Sequence, residues 1–187
     1  ALFRLLLRQS GGQLDYSRLA NLSEMSRVTV KAHIEAMQIA HVVHLLRPFH
    51  GGGKREIVSR PKCYAFDTGF VTFEKGWDTI RSDDRGLLWE HLVLDSLRFH
   101  YADEDISYWQ DKSRREIDFV IRRERDRVDV VECKINPDRL DATAAEAFRA
   151  LYPAGDNYVV SPAVKTPTRL RRGELVFTAC NTGDFPL

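Results

Sequence analysis

Apolar residues recur first at helical spacing and then in short alternating runs, and the switch divides the chain. Leu2, Leu5 and Leu6 mark a first helix that Gly11-Gly12 would stop. Asp15 is placed to cap a second helix through about residue 21. Ser26 caps a longer one over 26–39, with Val30, Ile34 and Met37 on its inner stripe and Arg27 and Lys31 on an outer face. A strand-like run over 42–46, the glycines at 51–53 and a second strand through 58 follow. Residues 67–85, punctuated by Gly69, Gly76 and Ser82-Asp83-Asp84, read as a connection. Tyr64, Phe66, Phe70 and Phe73 in or beside it imply that this connection packs against something.

Beyond residue 85 the pattern predicts a helix over 86–101, then strands over 106–110, 117–121 and 128–135 in a meander. Asp138 would cap a helix carrying Leu140, Ala144, Phe148 and Leu151, and Pro153 and Gly155 would end it. Tyr158-Val159-Val160 returns as a strand, so the helix is a crossover of the kind parallel pairing requires. Residues 174–179 add an edge strand. The first part has the order of a winged helix, with 26–39 as recognition helix and 51–55 as wing tip. The expected fold class is therefore α+β/α/β: a winged helix over 1–66, the connection over 67–85, and an αβββαβ core with a mixed sheet over 86–187.

A length of 187 residues, 43% of them hydrophobic, suits one compact domain or two small ones able to bury a core. No apolar run approaches the roughly 20 residues of a membrane span. Cys63, Cys133 and Cys180 are far apart and lack zinc-like spacing, and no secretory signal is visible. A reducing cytoplasm is the expected setting. A chain that opens at Ala1 inside an apolar helix reads as part of a longer protein. Charge is unevenly divided: residues 1–80 hold 11 Lys and Arg against 7 Asp and Glu, and the remainder 17 against 20. A basic first part beside an acidic second part fits a nucleic-acid binder joined to a metal-site domain.

The candidate chemistry lies between Glu116 and Lys134. Asp118 interrupts the apolar strand 117–121, where alternation puts Ile117, Phe119 and Ile121 on one face and Asp118 on the other. Glu132 and Lys134 share a face of the next strand with Val128 and Val130, while Val131 and Cys133 take the opposite one. Acids inside apolar strands need a partner. Glu90 falls in the apolar arc of the 86–101 helix with Leu87, Val93, Leu94 and Leu97, whereas His91, Asp95 and Arg98 fall on a polar side. Three carboxylates and an amine suit Mg²⁺ or Mn²⁺ with retained water. A cross-strand ion pair, with Glu90 held by a nearby Arg or His, is the structural alternative.

Glu90 on a helix, then Asp118, then Glu132-Cys133-Lys134 resembles the PD-(D/E)XK nuclease superfamily in its Glu-x-Lys form. Residues 108–113, Tyr-Trp-Gln-Asp-Lys-Ser, followed by Glu116-Ile117-Asp118-Phe119-Val120, resemble the C-terminal region of prokaryotic AAA-type ATPases. Lys62 to Gly69 and Gly86-Leu87-Leu88-Trp89-Glu90 also look like that group, in which an ATPase domain precedes a winged helix and a nuclease-like domain. Arg114-Arg115 depart from the smaller residues expected before the Asp118 strand. The resemblance implies an upstream ATPase domain. Gly51-Gly52-Gly53-Lys54 is not its nucleotide loop, because Arg55 stands where Ser or Thr is needed and strands flank it.

The expectation is a metal-dependent DNA phosphodiesterase in which Asp118 and Glu132 hold the ion, Glu90 ligates directly or through water, and Lys134 positions the water or stabilises the phosphate. Gln110 and Ser113 would orient the substrate. Arg27, Lys31, Lys54 and Arg55 would contact DNA phosphates. Lys165, Arg169, Arg171 and Arg172 form a late basic cluster that fits either a phosphate backbone or a solvated loop. The rivals are an inactive scaffold that binds DNA or a partner and controls the ATPase, and a sequence-specific regulator resting on the winged helix.

Overall fold

The computed structural model describes residues 1–51, 60–124 and 126–185. They form two compact units, one of residues 1–47 and 60–84, the other of residues 48–51 and 85–185.

The first unit runs α1 (Leu2–Arg8), β1 (Gly12–Gln13), α2 (Tyr16–Ser23), α3 (Arg27–Ile39), β2 (Val43–Pro48), β3 (Lys62–Ala65) and α4 (Thr68–Lys75). Its caps are those the sequence suggested. The Asp15 carboxylate accepts the N–H groups of Ser17 and Arg18, and the Ser26 hydroxyl accepts that of Thr29. β3 pairs antiparallel with β1 and with β2, so Cys63 lies opposite both Gly12 and Leu45. Leu2, Leu6, Leu14, Leu19, Val30, Ile34 and Val43 close over this sheet as one apolar cluster. Residues 67–84 belong to this unit: Asp67 caps α4, Gly76 ends it at φ 65°, and Glu74 receives both Arg4 and Arg8. The expected wing, with Lys54 and Arg55, lies outside the described residues.

The second unit contains α5 (Arg85–His100), β4 (Ile106–Gln110), β5 (Glu116–Glu124), β6 (Arg127–Cys133), α6 (Thr143–Arg149), β7 (Asn157–Val160), β8 (Thr168–Arg172) and β9 (Leu175–Cys180). β4, β5 and β6 form the antiparallel meander, and α6 crosses over to β7, parallel to β6. β9 then adds parallel to β7 with β8 outside it, so the six strands of this unit run in the order β4-β5-β6-β7-β9-β8. The run expected as an edge strand is thus interior, and the basic segment read as a loop is the edge. Thr168-Arg169-Leu170-Arg171-Arg172 has one apolar residue, yet it pairs along its whole length with β9. Edge strands tolerate such charge.

The α6 side of the sheet carries the core of Trp109, Ile117, Val120, Val128, Val130, Phe148, Val159 and Phe177. α6 starts later than the spacing suggests. Pro137–Arg139 is a separate short 3-10 turn, Asn136 accepts the Asp138 N–H, and Asp141 accepts that of Thr143. Asp138 therefore caps no α-helix, and Leu140 packs from the connection. His91, expected on the polar side of α5, is buried; its ring nitrogen bonds the Leu87 carbonyl at 2.9 Å, which satisfies it locally. No described helix is long and apolar enough to cross a membrane.

Candidate metal and phosphate site

A register shift shapes the centre of the sheet. Between Ser107↔Val120 and Trp109↔Ile117, β4 advances two residues while β5 advances three, so an extra residue is accommodated at Asp118-Phe119. Such a bulge bends the strand and re-aims its side chains. Ile117 consequently shares the α6-side core with Val120, three positions on, and not a face with Phe119 and Ile121 as strict alternation predicts. Asp118 is turned toward β6. Its Oδ2 accepts the backbone N–H of Cys133 at 2.8 Å, just beyond the last regular β5–β6 pair, Phe119↔Val131.

Lys134 completes the cluster. Its Nζ donates to Glu132 Oε2 at 2.9 Å and stands 3.6 Å from Asp118 Oδ2. The Glu132 side chain is only 4% exposed, and that of Lys134 29%. Burial, reinforced by the charge of Asp118, pushes the Glu132 carboxyl up to about 8 against the relief given by Lys134. Burial opposes the Lys134 charge, but Asp118 and Glu132 outweigh it and hold the ammonium form. Burial, Asp118 and Glu90 push the Cys133 thiol well above its ordinary range, which puts partly buried Glu90 of α5 within electrostatic reach of the cluster. Among the described residues, no group of three or more His, Cys, Asp or Glu comes together as a ready ligand set. The structure thus gathers Asp118, Glu132 and Lys134, with Glu90 at their margin.

Sequence reasoning missed two neighbours. Glu116, cross-strand from Gln110, accepts its amide at 2.7 Å and adds to the negative field on Glu132. Its place two residues before Asp118 was the available signal. Asp141, after the 3-10 turn, bonds the Thr143 hydroxyl and N–H, which with minor help from Lys134 keep its carboxyl below the usual range. Gln110 is thus engaged with a carboxylate, and exposed Ser113 donates its backbone N–H to Asp111. Trp89 anchors α5 through its indole N–H, which donates to the Val160 carbonyl at 2.9 Å.

Arg27 and Lys31 are exposed on α3, Lys31 within 3.8 Å of Glu35. Of the late basic cluster, Lys165, Arg169 and Arg171 are exposed, and Arg172 reaches the Asp138 carboxylate at 3.3 Å.

Two family models match the chain: the Domain of unknown function DUF8612 over residues 1–80 and the Domain of unknown function DUF4143 over residues 85–180. The latter is a domain found in C-terminal regions associated with AAA-type ATPases. The chain is similar to the uncharacterized proteins Mb2031c of Mycobacterium bovis and Rv2008c of Mycobacterium tuberculosis, 30% identical to each over 122 residues. The shared stretch is 62% of this chain and 27% of each relative, so it spans about a quarter of their length. No solved structure matches it significantly. With residues 85–180, more than half of its length, matching that model, the chain belongs to the DUF4143 family.

Proposed function

We propose that the second unit is a PD-(D/E)XK-type, metal-dependent DNA phosphodiesterase, and that the first unit is a winged helix that docks DNA or a protein. In this reading the whole is the C-terminal part of an ATPase. The observation that carries the proposal is the meeting of the Asp118 and Glu132 carboxylates around one ammonium, 3.6 and 2.9 Å away, at a bulge in an otherwise apolar sheet.

Two adjacent hard oxygen donors of this kind suit Mg²⁺ or Mn²⁺. Asp118 and Glu132 would hold the ion, with Glu90 completing its shell through water. A bound ion supplies a lowered pKa for its water and polarisation of a phosphoryl oxygen. The rest falls to the protein. Lys134 orients the attacking water and stabilises charge on the phosphate. Deep burial of Glu132 keeps bulk water off the side chain, and the Cys133 N–H fixes the Asp118 carboxylate. In the first unit, the αβααββ order and the exposed cations of α3 support docking on a phosphate backbone. Lys54 and Arg55 belong to the same reading.

The test is incubation of the chain with linear, nicked, supercoiled and branched DNA in Mg²⁺, Mn²⁺ or EDTA. Metal-dependent cutting is expected, with Asp118→Ala abolishing it and Lys134→Ala lowering it by about 10²–10³-fold. A scaffold without turnover is the second reading, favoured by the ion pairs that already engage Lys134 with both carboxylates. Retarded migration of DNA without cutting, unchanged in both variants, would establish that alternative.

A further inference from the structure

The β4–β5 connection, residues 111–115, is held in one shape from inside. The buried Asp111 carboxylate accepts the N–H groups of Ser113 and Arg115 at 2.9 and 3.0 Å. Its second oxygen takes two donors of the Arg115 guanidinium, at 2.8 and 2.5 Å. Backbone bonds Arg114 N–H to Asp111 O and Asp111 N–H to Arg115 O close the turn. At its neck the Gln110–Glu116 pair ties it to the strand that reaches Asp118 two residues later. Four strand residues span at most about 14 Å, so Arg114 lies within that reach of Asp118, at the turn end of the strand that carries it.

The turn carries three cations, and only Arg115 is used to build it. Lys112 and Arg114 are exposed, and among the described residues neither side chain has an ion-pair partner. Arg114 sits at φ 62°, the left-handed region that favours glycine. Backbone geometry alone thus selects against any β-carbon at position 114. Strained positions held by surrounding bonds concentrate where a side chain has work to do. Two unpaired cations on one turn, on one side of the proposed centre, fit nucleic-acid phosphates on that side of the bond to be cut.

We infer that Lys112 and Arg114 form a phosphate clamp that seats the DNA backbone next to Asp118, Glu132 and Lys134. The clamp rests on the phosphodiesterase reading, but its test does not depend on turnover. Binding of a fluorescent duplex is measured in EDTA across a salt series for the chain, Arg114→Gly, Arg114→Lys, Lys112→Ala and the Arg114→Gly/Lys112→Ala pair, with thermal melts of each. Loss of one phosphate contact lowers the slope of log affinity against log salt by about one. The expected result is a slope reduced by about one in Arg114→Gly and Lys112→Ala and by about two in the pair, with Arg114→Lys near the parent. Arg114→Gly should melt no lower than the parent, because glycine relieves the strain. An unchanged slope in both single variants, or a fall shared by Arg114→Lys, overturns the clamp. If the parent chain cuts DNA while the slopes stay unchanged, the clamp alone fails. If slopes fall but Mg²⁺ and Mn²⁺ support no cutting, the clamp stands and the phosphodiesterase reading fails.

Discussion

Glu132 is a carboxylic acid in a place that favours its neutral form. Its pKa of about 8 lies above the ordinary 4.5, so the folded state holds a proton that the unfolded state has lost. Stability from this group is full below the ordinary value and is lost as pH climbs toward 8. Glu132→Gln keeps the shape and removes the ionisation. In EDTA it should melt above the parent at pH 8, and the gap should close by pH 5. A metal must displace the same proton, so Mn²⁺ affinity should rise across pH 6–8 and binding should release a proton, measurable by calorimetry in two buffers. At this scale the sequence was informative about which charges the structure gathers. Asp118, Glu132 and Lys134 stood out as charges in apolar strands. Their aim was not legible, because the bulge at Asp118 arises from pairing with β4, and no residue of β5 announces it. Nor was the burial of His91, which depends on a hydrogen bond to its own helix.

Among the elements, the return from α6 to β7 is held by one side chain. The Arg149 guanidinium donates to the carbonyls of Val128, Tyr152, Ala154 and Asp156 and to the Asn157 amide oxygen. Burial lowers its pKa despite the nearby Asp129 and Asp156. Arg149→Met fills similar space without donors and leaves carbonyls dry, which should cost about 2–4 kcal/mol in a denaturant titration. Periodicity found α6 through Phe148 and partly buried Ala144, although Ala145 is its buried alanine and Leu151 is exposed past its end, and it found β6 and β7 from their valines. It missed β8 because charge on a half-exposed edge carries no two-residue alternation, and it misplaced the start of α6 because Pro137 and Asp141 divide that stretch by side-chain bonding.

Among the described residues each unit holds an apolar cluster of its own, and the two family models meet between residues 80 and 85. The order of predicted elements suggested a division near residue 85. It was not enough to assign the segment that leaves β2, since a strand exit looks the same wherever it goes. Phe49, from the first half of the sequence, is 5% exposed in the core of the second unit. Its N–H donates to the Tyr108 carbonyl, and its ring meets Phe148 at 5.6 Å and Tyr152 at 5.1 Å, edge to face. Phe49→Ala should cost the second unit about 3–5 kcal/mol, with hydrogen exchange accelerated at Trp109 and Val128.

The seam drawn by the family models is therefore not the whole boundary between the two units, because residues 48–51 belong with the second. A gene fragment cut at residue 85 would encode β4 to β9 and still lack an aromatic plug that seals their core. Supplying a short peptide around position 49 in trans should restore part of the lost resistance to protease, as a missing keystone does when set back in its arch.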